Sequence, residues 1–182
     1  RRFRPRIAAL VLCNTRATSE TPEGCRRREQ FALDVLSRGA VVAADTMVPT
    51  LFAPSTPEKL KNYWHQRISS QPPQGIAAAA RALAVRPDSQ KTLSEIDVPT
   101  LVLCGEHDAL TAPDMMRDLA ASLSRVPAEP GDPLLRIVPC AGHLPPIENP
   151  EAVCVIIDDF LRSLREVPFR NSRSDGSIEP RV

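Results

Sequence analysis

One acid and one histidine follow two apolar segments of this sequence and could act together in proton transfer. Asp108 lies just past the end of the run 101–104, and His143 lies shortly after the segment 134–138. An imidazole that titrates near neutral pH can take a proton from an attacking hydroxyl and return it to a leaving group. A carboxylate bound to the second ring nitrogen fixes the tautomer and stabilises the imidazolium. The two residues therefore predict the histidine base of a hydrolase and the carboxylate that supports it.

Three apolar segments indicate the strands that hold these side chains. The run 101–104 is too short for a helix and is bounded by a proline and a glycine, which favours a strand buried on both faces. Segments 7–13 and 134–138 have the same apolar character. Parallel sheets hold their functional groups at the carboxyl ends of the strands, where the acid and the histidine lie. We therefore expect an α/β fold with about three parallel strands.

Several helical patterns lie between the first two strands. The first begins at Pro22 and stops at Gly39, and the second, over 40–52, is predicted to be interrupted near Pro49. Two more follow over 57–70, with Ser55 or Thr56 as the cap, and over 72–85. Four helical patterns are too many for one crossover connection. They indicate a helical module placed over the strand ends.

These patterns predict the domain organisation. After the second strand, 113–124 and 150–164 have the apolar spacing of amphipathic helices. We expect an α/β core formed by 1–21 and 86–166, a helical cap insertion over 22–85, and a disordered tail over 167–182.

Composition excludes several classes of function. The chain has 182 residues, about one domain, and its formal net charge of +1 implies no nucleic-acid or acidic-membrane partner. The five cysteines are scattered without a CxxC spacing, which favours a reducing, cytoplasmic compartment and neither a zinc site nor a disulfide framework. No signal peptide or membrane span is visible, and three dispersed histidines make no metal site. No glycine-rich turn follows an early strand, which disfavours a nucleotide-binding domain, and no cofactor is expected.

Two stretches carry a family resemblance. Val-Pro-Thr-Leu-Val-Leu-Cys-Gly-Glu-His-Asp-Ala-Leu-Thr over 98–111 and Ala-Gly-His-Leu-Pro-Pro-Ile-Glu-Asn-Pro over 141–150 resemble the C-terminal half of an α/β-hydrolase. In that family the acid lies in a Gly-x-x-Asp turn and the histidine in a Gly-His turn before the last helix. The resemblance implies that Asp108 and His143 are catalytic. The helical insertion and residues 86–89 further resemble the cap of the enol-lactonase and small esterase branch.

The nucleophile of that family has no counterpart in this sequence. The family places it on a Gly-x-Ser-x-Gly elbow upstream of the acid and the histidine, and no such motif occurs here. The first residue is arginine rather than methionine. We therefore expect the serine to lie upstream of this chain, and we expect the chain to be the second half of a hydrolase and inactive alone.

The resemblance implies a cofactor-independent hydrolase of a small carboxylic ester or enol-lactone. Haloalkane dehalogenase, epoxide hydrolase and carbon–carbon hydrolase chemistry remain alternatives, as does a non-catalytic domain that pairs with a partner. Oligomeric state and substrate stay open. Glu106 and Asp114 are weaker candidate acids, and we expect His107 and His65 at the surface. Glu148 is predicted to brace the histidine turn or the start of the last helix.

Overall fold

The computed structural model describes residues 3–123 and 135–166 and contains a small parallel sheet. Its strands are β1 (Leu10–Cys13), β2 (Thr100–Gly105) and β3 (Leu135–Val138), in the order β1-β2-β3. All six residues of β2 are buried, because this strand has a neighbour on each side and helices on both faces. The predicted α/β architecture with about three parallel strands is confirmed.

Side chains of β2 alternate between two apolar clusters. Val102 and Cys104 point toward α6 (Pro113–Ala121) and pack with its Met116 and Leu119. Leu101 and Leu103 point the other way and pack with Val138 and with Val153 of α8 (Pro150–Glu166). The sheet is thus the middle layer of three, and the helix on each face removes apolar strand surface from water.

The first strand is shorter than the apolar pattern suggested. We predicted strand from residue 7, but β1 begins at Leu10, and a short 3₁₀ helix, Arg4–Arg6, precedes it. The amide of Leu10 donates to the carbonyl oxygen of Pro99 at 3.0 Å. Pro99 has no N–H to return, so the parallel ladder cannot extend toward residue 7.

Four of the helices between β1 and β2 lie in the segment 22–85, which we call the helical insertion. They are α1 (Pro22–Arg38), α2 (Val41–Leu51), α3 (Glu58–Ser69) and α4 (Pro73–Ala84). The side chain of Thr21 caps α1 by accepting from the Gly24 amide, and Gly39 follows its end with a positive φ of 90°. Helix α1 packs along α4 through the small side chains Ala32, Ala77 and Ala80.

Two predictions about these helices are wrong. Pro49 does not interrupt α2, which ends two residues later at Leu51. A proline in the last turn removes one intrahelical hydrogen bond, and little of the helix follows it to be disrupted. Neither Ser55 nor Thr56 caps α3, whose cap position is Pro57. The hydroxyl of Thr56 instead donates to a distant carboxylate, that of Glu148.

The remaining boundaries differ from prediction by a few residues. Helix α6 ends at Ala121 rather than 124, and α8 continues to Glu166 rather than 164. Two single-turn helices, α5 (Gln90–Leu93) and α7 (Pro145–Glu148), are too short to give a periodic pattern. Residue 134 and the predicted tail over 167–182 lie outside the described residues. Within the described ranges, no helix is both long and apolar enough to cross a membrane.

Candidate active site

The carboxyl ends of the three strands bring three polar side chains together. Asn14 follows β1, Asp108 follows β2, and His143 lies in the loop after β3. Nδ1 of His143 lies 2.9 Å from Oδ2 of Asp108, and Nδ2 of Asn14 donates to the same oxygen. An ionised carboxylate can only accept hydrogen bonds, so Nδ1 of His143 carries the proton. In the neutral imidazole, Nε2 then presents a lone pair.

Asp108 is fully buried and accepts hydrogen bonds on both oxygens. Oδ1 accepts from the backbone amides of Leu110 at 2.8 Å and Thr111 at 3.0 Å, and Oδ2 also accepts from the Thr111 hydroxyl at 2.5 Å. Burial alone raises the pKa of Asp108, but the hydrogen bonds from His143, Thr111 and Asn14 together outweigh it and hold the pKa well below its usual range. At neutral pH the site therefore holds a negative charge beside the imidazole.

The lowered pKa of Asp108 predicts a pH dependence of stability. The carboxylate is favoured in the folded chain, so its contribution is fully present above the ordinary aspartate pKa of about 4 and is lost as the pH falls below it. We expect the free energy of unfolding to fall in this range, by up to about 1.4 kcal/mol per pH unit from this one group. Urea unfolding between pH 6 and 3 would measure it. An Asp108→Asn chain with the same slope as the unmodified chain would contradict the assignment.

The loop that carries His143 is held in place by its backbone. The amide of His143 donates to the carbonyl oxygen of Leu51 at 2.8 Å, and the side chain is 24% exposed. Nε2 of His143 has no hydrogen-bond partner among residues 3–123 and 135–166. The imidazole is therefore fixed from the Nδ1 side and open on the other.

The side chains of the other candidate groups make contacts with residues other than Asp108 and His143. Glu106 binds the backbone amide of Cys140, and the exposed Asp114 pairs with Arg117. His107 is exposed, and Nε2 of His65 pairs with Asp45 on α2 at 2.7 Å. No cluster of three or more histidine, cysteine or acidic side chains is placed to hold a metal ion in the part of the chain that the structure describes.

Comparison with known proteins decides the family. A model of the alpha/beta hydrolase family matches residues 4–155. The chain belongs to the α/β-hydrolase family. Among solved structures, it is similar to a thermophilic esterase from Thermogutta terrifontis, at 37% identity and a TM-score of 0.79, over 89% of this chain and 58% of the esterase. It is also similar to the enol-lactonase from Burkholderia xenovorans LB400, at 27% identity and a TM-score of 0.72, over 88% and 58%.

A curated relative agrees with these structures. 3-Oxoadipate enol-lactonase 1 from Acinetobacter baylyi is 29% identical over 107 residues, which are 55% of this chain and 34% of that protein. This α/β-hydrolase chain thus spans just over half the length of the solved structures and about a third of the curated relative. Its neighbours are hydrolases with the names esterase and enol-lactonase, as the sequence resemblance predicted.

Two residues of this α/β-hydrolase site were missed by sequence reasoning. Asn14 and Thr111 both donate to Asp108, and neither was singled out. Asn14 has a φ of 44°, a left-handed conformation that asparagine tolerates better than most residues. The sequence feature that could have identified Asn14 is its position directly after an apolar strand, the same rule that pointed to Asp108. No comparable signal marks Thr111.

Two thiols near the carboxylate are unsuited to act as a nucleophile. Burial and then the charge of Asp108 raise the pKa of Cys13, and the same causes in the same order raise the pKa of Cys104 to about 12. A thiol attacks only as its thiolate, so both remain protonated at neutral pH. Both side chains pack in the apolar clusters on the two faces of the sheet, as expected for cysteines within apolar segments.

Proposed function

We propose that the intact protein hydrolyses a small carboxylic ester or enol-lactone with a Ser-Asp-His triad. In this proposal Asp108 and His143 are two members, and the serine comes from a part of the protein N-terminal to this chain. The observation that carries the proposal is the 2.9 Å contact between His143 Nδ1 and the buried Asp108, with no partner for Nε2 among the residues that the structure describes. The names of the neighbours, an esterase at 37% identity and an enol-lactonase at 27%, support the choice of substrate class.

The chemistry follows from the two nitrogens of His143. Nε2 takes the proton of the serine hydroxyl as its oxygen attacks the carbonyl carbon, and the imidazolium then gives that proton to the departing alkoxide. The acyl-enzyme is released by a water that loses its proton to Nε2, and the serine recovers a proton when the acid leaves. Asp108 stays ionised throughout and stabilises the imidazolium through Nδ1.

We further propose that the helical insertion is a cap over the site, and that 1–21 with 86–166 forms the hydrolase core. The insertion contributes the Leu51 carbonyl that binds the His143 amide. Val48, Leu51 and Phe52 of the insertion also pack against Leu144 and Ile147 of the histidine loop, residues 141–148. These contacts put the insertion beside the proposed catalytic histidine, where it can limit access to a small substrate.

Turnover of p-nitrophenyl acetate would test the proposal. The chain alone should give no turnover above a His143→Ala variant, because it contains no elbow serine. Joined behind the N-terminal part of the Thermogutta terrifontis esterase, it should hydrolyse the ester, and His143→Ala should then lower kcat by about 10⁴-fold or more.

The other outcomes have distinct meanings. Turnover by the chain alone that His143→Ala abolishes would reveal a nucleophile within it. A folded fusion with no esterase activity would count against the triad and favour a non-catalytic domain. An aspartate at the elbow of the protein's own upstream sequence would favour dehalogenase or epoxide hydrolase chemistry instead.

A further inference from the structure

We propose that Glu148 is a positioning residue that ties the histidine loop, residues 141–148, to residues 51–56 of the helical insertion. Through this tie, a displacement of the insertion would move the imidazole of His143. The inference rests on the proposed role of His143 and adds a residue that couples the insertion to it.

Each oxygen of the Glu148 carboxylate serves one side of this contact. Oε1 accepts from the insertion, from the Ala53 amide at 2.7 Å and the Thr56 hydroxyl at 2.6 Å. Oε2 accepts from the histidine loop, from the Gly142 amide at 2.8 Å and the Leu144 amide at 3.2 Å. Gly142 and Leu144 are the two neighbours of His143 in the chain. The carboxylate therefore holds the backbone on both sides of the histidine.

Backbone contacts also join the histidine loop to the helical insertion. The His143 amide donates to the Leu51 carbonyl at 2.8 Å. A Cβ placed on Gly142 would lie 2.7 Å from the Ala53 amide nitrogen and 2.8 Å from the carbonyl carbon of Phe52, closer than such atoms can approach. The two segments thus lie backbone to backbone, with no side chain of Gly142 between them.

This arrangement requires a carboxylate at position 148. All four groups that meet Glu148 donate hydrogen bonds, and three of them are backbone amides that can only donate. The amide nitrogen of a glutamine in either orientation would face at least one of these backbone donors. The start of α8, the alternative role predicted from sequence, is instead bound by Asn149, whose Oδ1 accepts from the Ala152 amide at 3.2 Å.

The test is nuclear magnetic resonance of the isotope-labelled 182-residue chain, which reads His143 without any turnover. Two rates are followed: solvent exchange of the His143 ring Nδ1–H and exchange of the His143 backbone amide. The backbone amide of Val102, in the middle strand, reports global unfolding. We expect Glu148→Gln to speed both His143 rates about tenfold or more relative to Val102.

Thr56→Val is the decisive variant, because it removes only the hydroxyl that binds Glu148 and lies in the insertion. We expect it to speed both His143 rates about threefold relative to Val102, and Thr56→Ser to restore them. Glu151→Gln is the matched control, because it removes the same charge from an exposed side chain on the first turn of α8. It should leave both His143 exchange rates unchanged.

Other results would overturn the proposal. If Glu148→Gln speeds the His143 rates but Thr56→Val does not, the carboxylate braces only its own loop and is not coupled to the insertion. If Glu148→Gln fails to fold, the Thr56 pair still gives the answer. Unchanged His143 rates in the Thr56→Val chain reject the coupling outright. Loss of the proposed esterase chemistry would leave these rates as they are, so the two proposals fail separately.

Discussion

Asp108→Asn is expected to lower kcat about 10⁴-fold in the fusion of this chain with the N-terminal part of the Thermogutta terrifontis esterase, with the fold retained. The backbone amides of Leu110 and Thr111 can only donate, so they keep the remaining oxygen of the new amide on the Oδ1 side. Its nitrogen then lies where Oδ2 was, 2.9 Å from Nδ1 of His143.

The consequence is a change of tautomer at His143. An amide N–H aimed at Nδ1 requires that nitrogen to accept, so the imidazole proton moves to Nε2. Nε2 can then no longer take the proton of the serine. The Thr111 hydroxyl can turn to accept from the new nitrogen. Nδ2 of Asn14 loses its acceptor on residue 108 but keeps its hydrogen bond to the Gly142 carbonyl oxygen at 3.3 Å, so we expect loss of activity without unfolding.

Asp114→Asn is the matched control for this prediction. It makes the same chemical change at an exposed carboxylate whose side chain is 91% accessible and pairs with Arg117 at the surface. We expect its kcat to stay within about twofold of the unmodified fusion, because such exposed pairs contribute little. Equal losses in the two variants, or full activity of Asp108→Asn, would remove Asp108 from the triad.

Gly105→Ala should destabilise the chain by about 3 kcal/mol or more. Gly105 is the last residue of β2 and is buried. A Cβ there would lie 1.9 Å from the carbonyl oxygen of Gly142 and 2.6 Å from that of Ala141, both backbone atoms of the histidine loop. Because no flexible side chain can yield, the loop itself must move away from the strand end.

Gly75→Ala is the matched control. Gly75 lies near the start of α4, and a Cβ there would meet no atom within 4 Å. Alanine favours the helix over glycine, so we expect a gain of about 0.5–1 kcal/mol. Urea unfolding followed by circular dichroism measures both variants. A loss of less than about 1 kcal/mol in Gly105→Ala would mean that the loop approaches the strand less closely than the structure indicates.

Local patterns predicted most of the scaffold. An apolar run bounded by proline and glycine predicted β2, because a strand buried on both faces needs no alternation. Pro22 and Gly39 predicted the ends of α1 within one residue. The closeness of Asp108 and His143 could be predicted because both follow parallel strands, whose carboxyl ends meet at one edge of the sheet. The conformation of each of these segments depends chiefly on residues a few positions away.

What could not be predicted depends on contacts between distant parts of the chain. Thr56 looks like a helix cap, but its hydroxyl binds Glu148, 92 residues away. Asn14 looks like any loop residue, but its amide binds Asp108, 94 residues away. The length of β1 depends on Pro99, which lies directly before the neighbouring strand. Local sequence encodes the backbone preference of a segment, whereas which donor meets which acceptor is set only when packing of the apolar faces brings those segments together.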